Sequence, residues 1–170
     1  MFDPTGAMLG AGRWNSIGQR VIYATESYAG AMLEVLVHAN LSVPPKNHRV
    51  VRITIPGHLD IESVEPSALP GWDSEDPTVS RDFGDTWLRE MRTAILRVPS
   101  VITEGRENNI LVNPLHPQFS KITVTTPEDI HWDIRLFAAV ERSMRAKNII
   151  EVWWTESTGP MGHGSEGAQS

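Results

Sequence analysis

Four stretches of this chain carry residue types whose order and spacing could do chemistry. The first is Gly12-Arg13-Trp14-Asn15-Ser16, followed by Gly18. An arginine offers a planar fork of donors that suits phosphate oxygens, and flanking glycines let the backbone come close to a ligand. The second is Val21-Ile22-Tyr23-Ala24, where Tyr23 offers a flat face for stacking. The third is Ala31-Met32-Leu33-Glu34-Val35-Leu36-Val37-His38. Glu34 there could stabilise positive charge developing on a sugar, or hold its hydroxyls. The fourth is Val98-Pro99-Ser100, with Asn109 and then Asn113-Pro114 and His116-Pro117. Ser100 can donate or accept one hydrogen bond, and the asparagines can fix the backbone beside a site. Taken singly, each has an ordinary reading: a surface arginine, a core tyrosine, a solvated helix face, a turn serine. Trp14 reads as packing, and His38 and His116 as structural.

Other chemistries are excluded or unsupported. The chain has no cysteine, so it has no disulfide, thiolate ligand or cysteine nucleophile. The six histidines show no metal-ligand spacing, and the reading is of no metal. The Gly-rich run from Gly6 to Gly12 neither follows a strand nor opens a helix, so it fails as a dinucleotide fingerprint. A formal net charge of −6 and the lack of a Lys/Arg cluster argue against direct nucleic-acid binding. No leader segment and no apolar stretch long enough for a bilayer is legible, so the expectation is a cytoplasmic protein that does not enter membranes.

The elements that must position these residues follow from periodicity. Val21-Ile22-Tyr23-Ala24 reads as a short buried strand. Ser27 caps a helix over residues 28–39, with Ala29, Met32, Leu33, Leu36 and Val37 as its apolar face. Glu34 then falls about 100° from Leu33, off that stripe, beside the small Gly30 and Ala31. Gly30 is a poor helix former. Its presence asks for close approach of a ligand, another backbone or a neighbouring element.

Val51, Ile53 and Ile55 alternate with polar residues as a half-buried strand, and a polar loop follows to about residue 75. Asp76-Pro77 starts a second helix, with Val79, Phe83, Trp87, Leu88 and Met91 at helical spacing. Strands are expected over residues 94–98, 109–112 and 122–125, with one more at 134–137. Strands outnumber helices without regular alternation, which predicts an α+β fold. Residues 138–154 read as an added helix and residues 155–170 as a disordered tail.

In order and spacing the four stretches resemble the RES-domain family, named for its Arg, Glu and Ser, from about residue 10 to residue 137. The resemblance implies an ADP-ribosyltransferase-like (diphtheria-toxin-type) fold, a mixed sheet with flanking helices. It implies NAD⁺ as the substrate and a toxin of a toxin–antitoxin pair, held by an Xre or helix-turn-helix-like antitoxin. NAD⁺ would be hydrolysed or phosphorolysed at its nicotinamide–ribose bond. The alternatives are transfer of ADP-ribose to a protein, or an inactive interaction module. The matching positions are Arg13 and Glu34 as catalytic residues and Tyr23 and Ser100 as substrate-binding ones, with Asn109 and Asn113 beside them. Relatives also carry a first strand with a Trp-Arg or similar pair, which residues 2–6 do not supply. The expectation is therefore a RES domain over residues 1–137 that lacks this strand and leaves a sheet edge unpaired.

Overall fold

The computed structural model describes residues 11–38, 44 and 48–137. It divides into two compact units, residues 1–132 and 133–170. The core of the first unit is a mixed four-stranded sheet in the order β1-β6-β5-β4. Its strands are β1 (Ile22–Thr25), β4 (Ile61–Ser63), β5 (Ile95–Pro99) and β6 (Asn108–Val112). β6 runs antiparallel to both β1 and β5, and β4 is parallel to β5. With two helices this is the expected α+β content.

The two central strands, Ile-Leu-Arg-Val-Pro and Asn-Asn-Ile-Leu-Val, are largely buried on both faces. Alternation along them sorts two cores. Leu96, Val98 and Leu111 pack with Trp14, Val21, Trp72, Trp87 and Leu88 on one face. Ile95, Ile110 and Val112 pack with Ile22, Ala24, Phe119 and Ile122 on the other.

Helix α1 spans Tyr28–His38 and contacts β1. Ser27 starts it as expected, its hydroxyl accepting from Gly30 N at 2.9 Å. The buried face differs from the apolar stripe. Leu33 and Val37 are exposed, while Gly30 is buried against Thr25 and Glu107. A side chain at Gly30 would crowd the Ser27 hydroxyl and the Glu107 carboxylate, so the neighbouring-element reading of this glycine applies.

Helix α2 spans Thr78–Glu90. Asp76 lies just ahead of it and accepts from both the backbone and the hydroxyl of Thr78, at 3.0 and 2.6 Å. Those two bonds hold the Asp76 carboxyl below its ordinary pKa. The inner face is Ser80, Gly84, Trp87 and Leu88. Val79 is exposed, and Met91 takes the left-handed conformation (φ 54°) that ends the helix. Trp87 and Leu88 face the core as expected and Phe83 packs against it, but the inner face also takes in Gly84, where the carbonyl of Trp14 lies directly against the helix.

Of the expected strand at 51–55 only β3 (Ile53–Thr54) forms, and β2 (Arg49–Val50) precedes it with a different partner. β2 pairs with β8 (Glu128–Asp129), and β3 with β7 (Thr123–Val124). β4 falls within the stretch expected to be loop. In the second unit, Ile134–Leu136 is a 3-10 turn rather than a strand, its start fixed by Asp133 accepting from Arg135 N at 2.9 Å. The expectations of a missing first strand, an added helix and a tail fall on residues 1–10, 138–154 and 155–170, outside the described residues. No helix among the described residues is long and apolar enough to cross a membrane.

Candidate functional site

A cleft of about 740 Å³ opens between the turn at residues 12–15, strand β1, helix α1 and the ends of β5 and β6. Arg13, Tyr23, Glu34 and Asn109 all line it. These residues are up to 96 positions apart (109 − 13), and the sheet register brings them together: Asn109 stands opposite Thr25 on β1 and Val98 on β5.

The Gly-Arg-Trp turn is held from several sides. Gly12 N donates to the Asn15 carbonyl and to Asn15 Oδ1, both at 3.1 Å. The Tyr23 hydroxyl donates to the same Oδ1 at 2.7 Å and accepts from Trp14 N at 3.1 Å. A Cβ at residue 12 would overlap the Tyr23 hydroxyl and Asn15 Oδ1, so glycine is required there by close approach. Trp14 anchors the turn in the core and meets Phe83 edge to face at 6.3 Å.

The guanidinium of Arg13 is fixed at one end. Its Nη1 donates to the carbonyls of Trp72 and Ser74, at 3.0 and 2.8 Å. Both partners are neutral, so the bonds orient the cation without cancelling its charge, which suits it to an anion in the cleft.

Tyr23 is 40 % exposed overall, yet its hydroxyl is enclosed by Gly12, Trp14 and Asn15. Burial of that oxygen pushes the phenol up to about 12. The Trp14 amide opposes the shift, Asp85 adds to it, and Arg81 opposes it. The folded state therefore keeps this proton to higher pH than the unfolded chain, whose ordinary value is 10.0. The resulting stabilisation is complete below that value and is lost as pH rises through about 12. Urea midpoints are expected to fall across this window, and Tyr23→Phe should make the decline shallower. Identical slopes in the two proteins would contradict the enclosed hydroxyl.

Glu34 is half-buried, and its Oε1 accepts from Asn109 Nδ2 at 2.8 Å. Asn109 thus orients the carboxylate from a buried strand. Ser100 is buried and lines a small recess adjoining the cleft, together with Glu34 and Asn109. Its backbone is tied into the β5–β6 loop, with Ser100 N donating to the Glu107 carbonyl at 2.9 Å.

Asn113 does not join the group. It lies four residues beyond Asn109, about 13 Å along the strand. There its Oδ1 accepts from Leu115 N at 3.0 Å and its Nδ2 donates to Met91 Sδ at 3.4 Å. Those contacts shape a turn. His116 is likewise a turn residue, its Nδ1 accepting from Gln118 N at 3.2 Å. Among the described residues no three His, Asp or Glu side chains gather as a metal site.

Sequence reasoning missed Asn15, which links Gly12 to Tyr23, and the carbonyls of Trp72 and Ser74 that grip Arg13. Backbone carbonyls leave no mark in a sequence. A glycine in mid-helix, Gly84, was the one sign that another backbone passes close to α2.

Comparison with known proteins identifies the family. The RES domain family matches residues 1–133. A protein of Sphingobium sp. (strain YBL2), named Prs ADP-ribosylating toxin, is 44 % identical over 116 residues, covering 66 % of this chain and 71 % of the relative. A protein of Pseudomonas putida (strain KT2440), named Toxin Res, is 37 % identical over 135 residues, covering 78 % and 90 %. Another Toxin Res, from Photorhabdus laumondii subsp. laumondii, is 34 % identical over 138 residues, covering 79 % and 87 %. With the family match spanning most of its length, and Arg13, Glu34 and Ser100 around one cleft and its recess, this chain belongs to the RES-domain family.

Proposed function

We propose that this protein is a toxin-type enzyme that uses NAD⁺ as substrate and breaks the bond between nicotinamide and ribose. The observation that carries the reading is the meeting of an anchored arginine, a stacking ring and an oriented carboxylate around one cleft. Its volume of about 740 Å³ lies within the usual range of ligand pockets.

In this reading Arg13 holds the pyrophosphate. The exposed face of Tyr23 stacks on nicotinamide. Nicotinamide leaves with the electron pair of the C1′–N bond and needs no general acid, because it is cationic before departure and neutral after it. The ribose carbon becomes positive, and Glu34, aimed by Asn109, stabilises that charge. The acceptor adds to C1′ and gives up its proton. Ser100 supplies one hydrogen bond beside the ribose. The mixed sheet and flanking helices fit an ADP-ribosyltransferase-like fold. A toxin of this kind calls for an antitoxin partner, for which we propose an Xre-type protein.

Water or phosphate as acceptor gives free ADP-ribose or its phosphate ester. A second reading, transfer to a protein, is favoured by one observation: the relative 44 % identical to this chain is named as an ADP-ribosylating toxin. The test incubates the purified chain with NAD⁺ and quantifies nicotinamide against ADP-ribose. Equal amounts of the two are expected for water. With NAD⁺ labelled in the adenylate and a cell extract present, a labelled protein band would support the second reading. Absence of nicotinamide in both arms would refute the proposal.

A further inference from the structure

Helix α2 contributes no residue to the cleft, yet besides its packing contacts with Trp14 it is tied by hydrogen bonds to the Gly-Arg-Trp turn and to the carbonyl that grips Arg13. The first point of attachment is the carboxylate of Asp85. Its Oδ1 accepts from Ser16 N at 2.9 Å and its Oδ2 from Ser16 Oγ at 2.5 Å. Both bonds end on one residue 69 positions away in sequence, so they restrain rotation as well as distance. The acceptor is a carboxylate, which makes the bonds stronger than neutral ones. The second point is Ser80, fully buried, whose hydroxyl donates at 2.6 Å to the Trp72 carbonyl, the same oxygen gripped by Arg13 Nη1.

Between the two points lie Arg13 and Asn15, and Asn15 receives the Tyr23 hydroxyl. We infer that Asp85 is a positioning residue for NAD⁺ binding, acting through Ser16 to set the turn that presents Arg13 and Tyr23 to the cleft. The inference rests on the NAD⁺ reading above for its consequence, but not for its geometry. Glu34 and Asn109 are held by α1 and β6 instead, so the bond-breaking step is less dependent on Asp85 than substrate capture is. Small misplacements of binding groups are costly, with about 1 Å sufficient for a hundredfold loss in unfavourable cases.

The test compares wild type with Asp85→Ala and Asp85→Asn. Asp85→Ala is expected to raise KM for NAD⁺ about tenfold and to change kcat less than about threefold. A merely structural role would lower the active fraction, reducing apparent kcat and leaving KM unchanged. Asparagine can still accept from Ser16 N and can donate to Ser16 Oγ, a hydroxyl that both donates and accepts. Asp85→Asn should therefore stay within about threefold of wild type in KM. An unchanged KM in Asp85→Ala, or equal damage in both variants, overturns the inference.

Should Asp85→Ala fail to fold, Ser16→Ala carries the test. It removes one of the two bonds and is expected to raise KM about threefold, with no change overturning the proposal. Amide hydrogen exchange across residues 12–16 is measured alongside, without NAD⁺. Faster exchange in the variant than in wild type supports the clasp, and equal exchange refutes it whether or not the protein acts on NAD⁺. Lack of nicotinamide release by wild type would count against the proposed function alone.

Discussion

Replacing Glu34 with alanine is expected to lower nicotinamide release by at least ~10²-fold while leaving the protein folded. The reacting ribose gains positive charge only as the bond breaks, so a fixed carboxylate beside it stabilises the transition state more than bound NAD⁺. The loss should therefore appear in kcat rather than KM. Folding should survive because leaving Asn109 Nδ2 without this partner costs about 1 kcal/mol, small against the stability of a folded domain. Glu34→Gln separates charge from shape. It keeps the side chain's size and can still accept from Asn109, so a loss like that of alanine assigns the effect to charge. Asn109→Ala leaves the carboxylate present but removes the hold of Asn109 on it, and a smaller loss of roughly tenfold is expected. Wild-type rates in Glu34→Ala would remove this residue from the reaction.

Gly84→Ala is expected to be the most damaging small substitution in the scaffold. By helix propensity alone, alanine at this position would stabilise α2 by about 1 kcal/mol. The tertiary effect opposes this and wins. A methyl at residue 84 would run into the carbonyl oxygen and carbon of Trp14, backbone atoms that cannot rotate away. Relief requires the turn to lift off the helix. That would pull Trp14 from the core and strain the Ser16–Asp85 bonds. Overpacking of this kind costs about 1–3 kcal/mol and occasionally more, and here a core tryptophan moves with it. We expect a melting temperature lower by at least about 5 °C, together with a raised KM for NAD⁺, because Arg13 and Tyr23 shift with the turn. Circular dichroism melts and the nicotinamide assay read the two effects. A melting temperature at or above that of wild type would show that the turn moves without penalty.

Local signals carried much of the fold. The apolar runs of β5 and β6 are dense enough to read as strands in any context. Ser27 and Asp76 mark helix starts through bonds made within a few residues. Short range also explains the failures. β4 is three residues, Ile61–Ser63, among polar neighbours, and it exists because β5 offers it a parallel edge. The stretch at 51–55 alternates as a strand should, yet only Ile53–Thr54 pairs within it, and Arg49–Val50 just before it pairs with a different strand. Helical period gave the right element for α1 and α2 and placed Trp87 and Leu88 inward, but Leu33, Val37 and Val79 of the expected faces are exposed. Glycines, not large side chains, sit at the points of closest approach: Gly30 against Glu107 and Gly84 against Trp14.

By itself the sequence determined the α+β class, the helix starts, the central strands, and the ordered stretches that resemble the family. Those properties depend on residue type and on neighbours within about a helical turn, which a linear reading can inspect. Only the tertiary structure decided that Asn109 aims Glu34 while Asn113, just past the end of the same strand, shapes a distant turn. It alone showed Arg13 hung from two carbonyls and the turn braced by Asp85. These are hydrogen bonds between groups tens of residues apart, several of them to backbone atoms common to every residue. Their partners become defined only when strand register and helix packing set the distances.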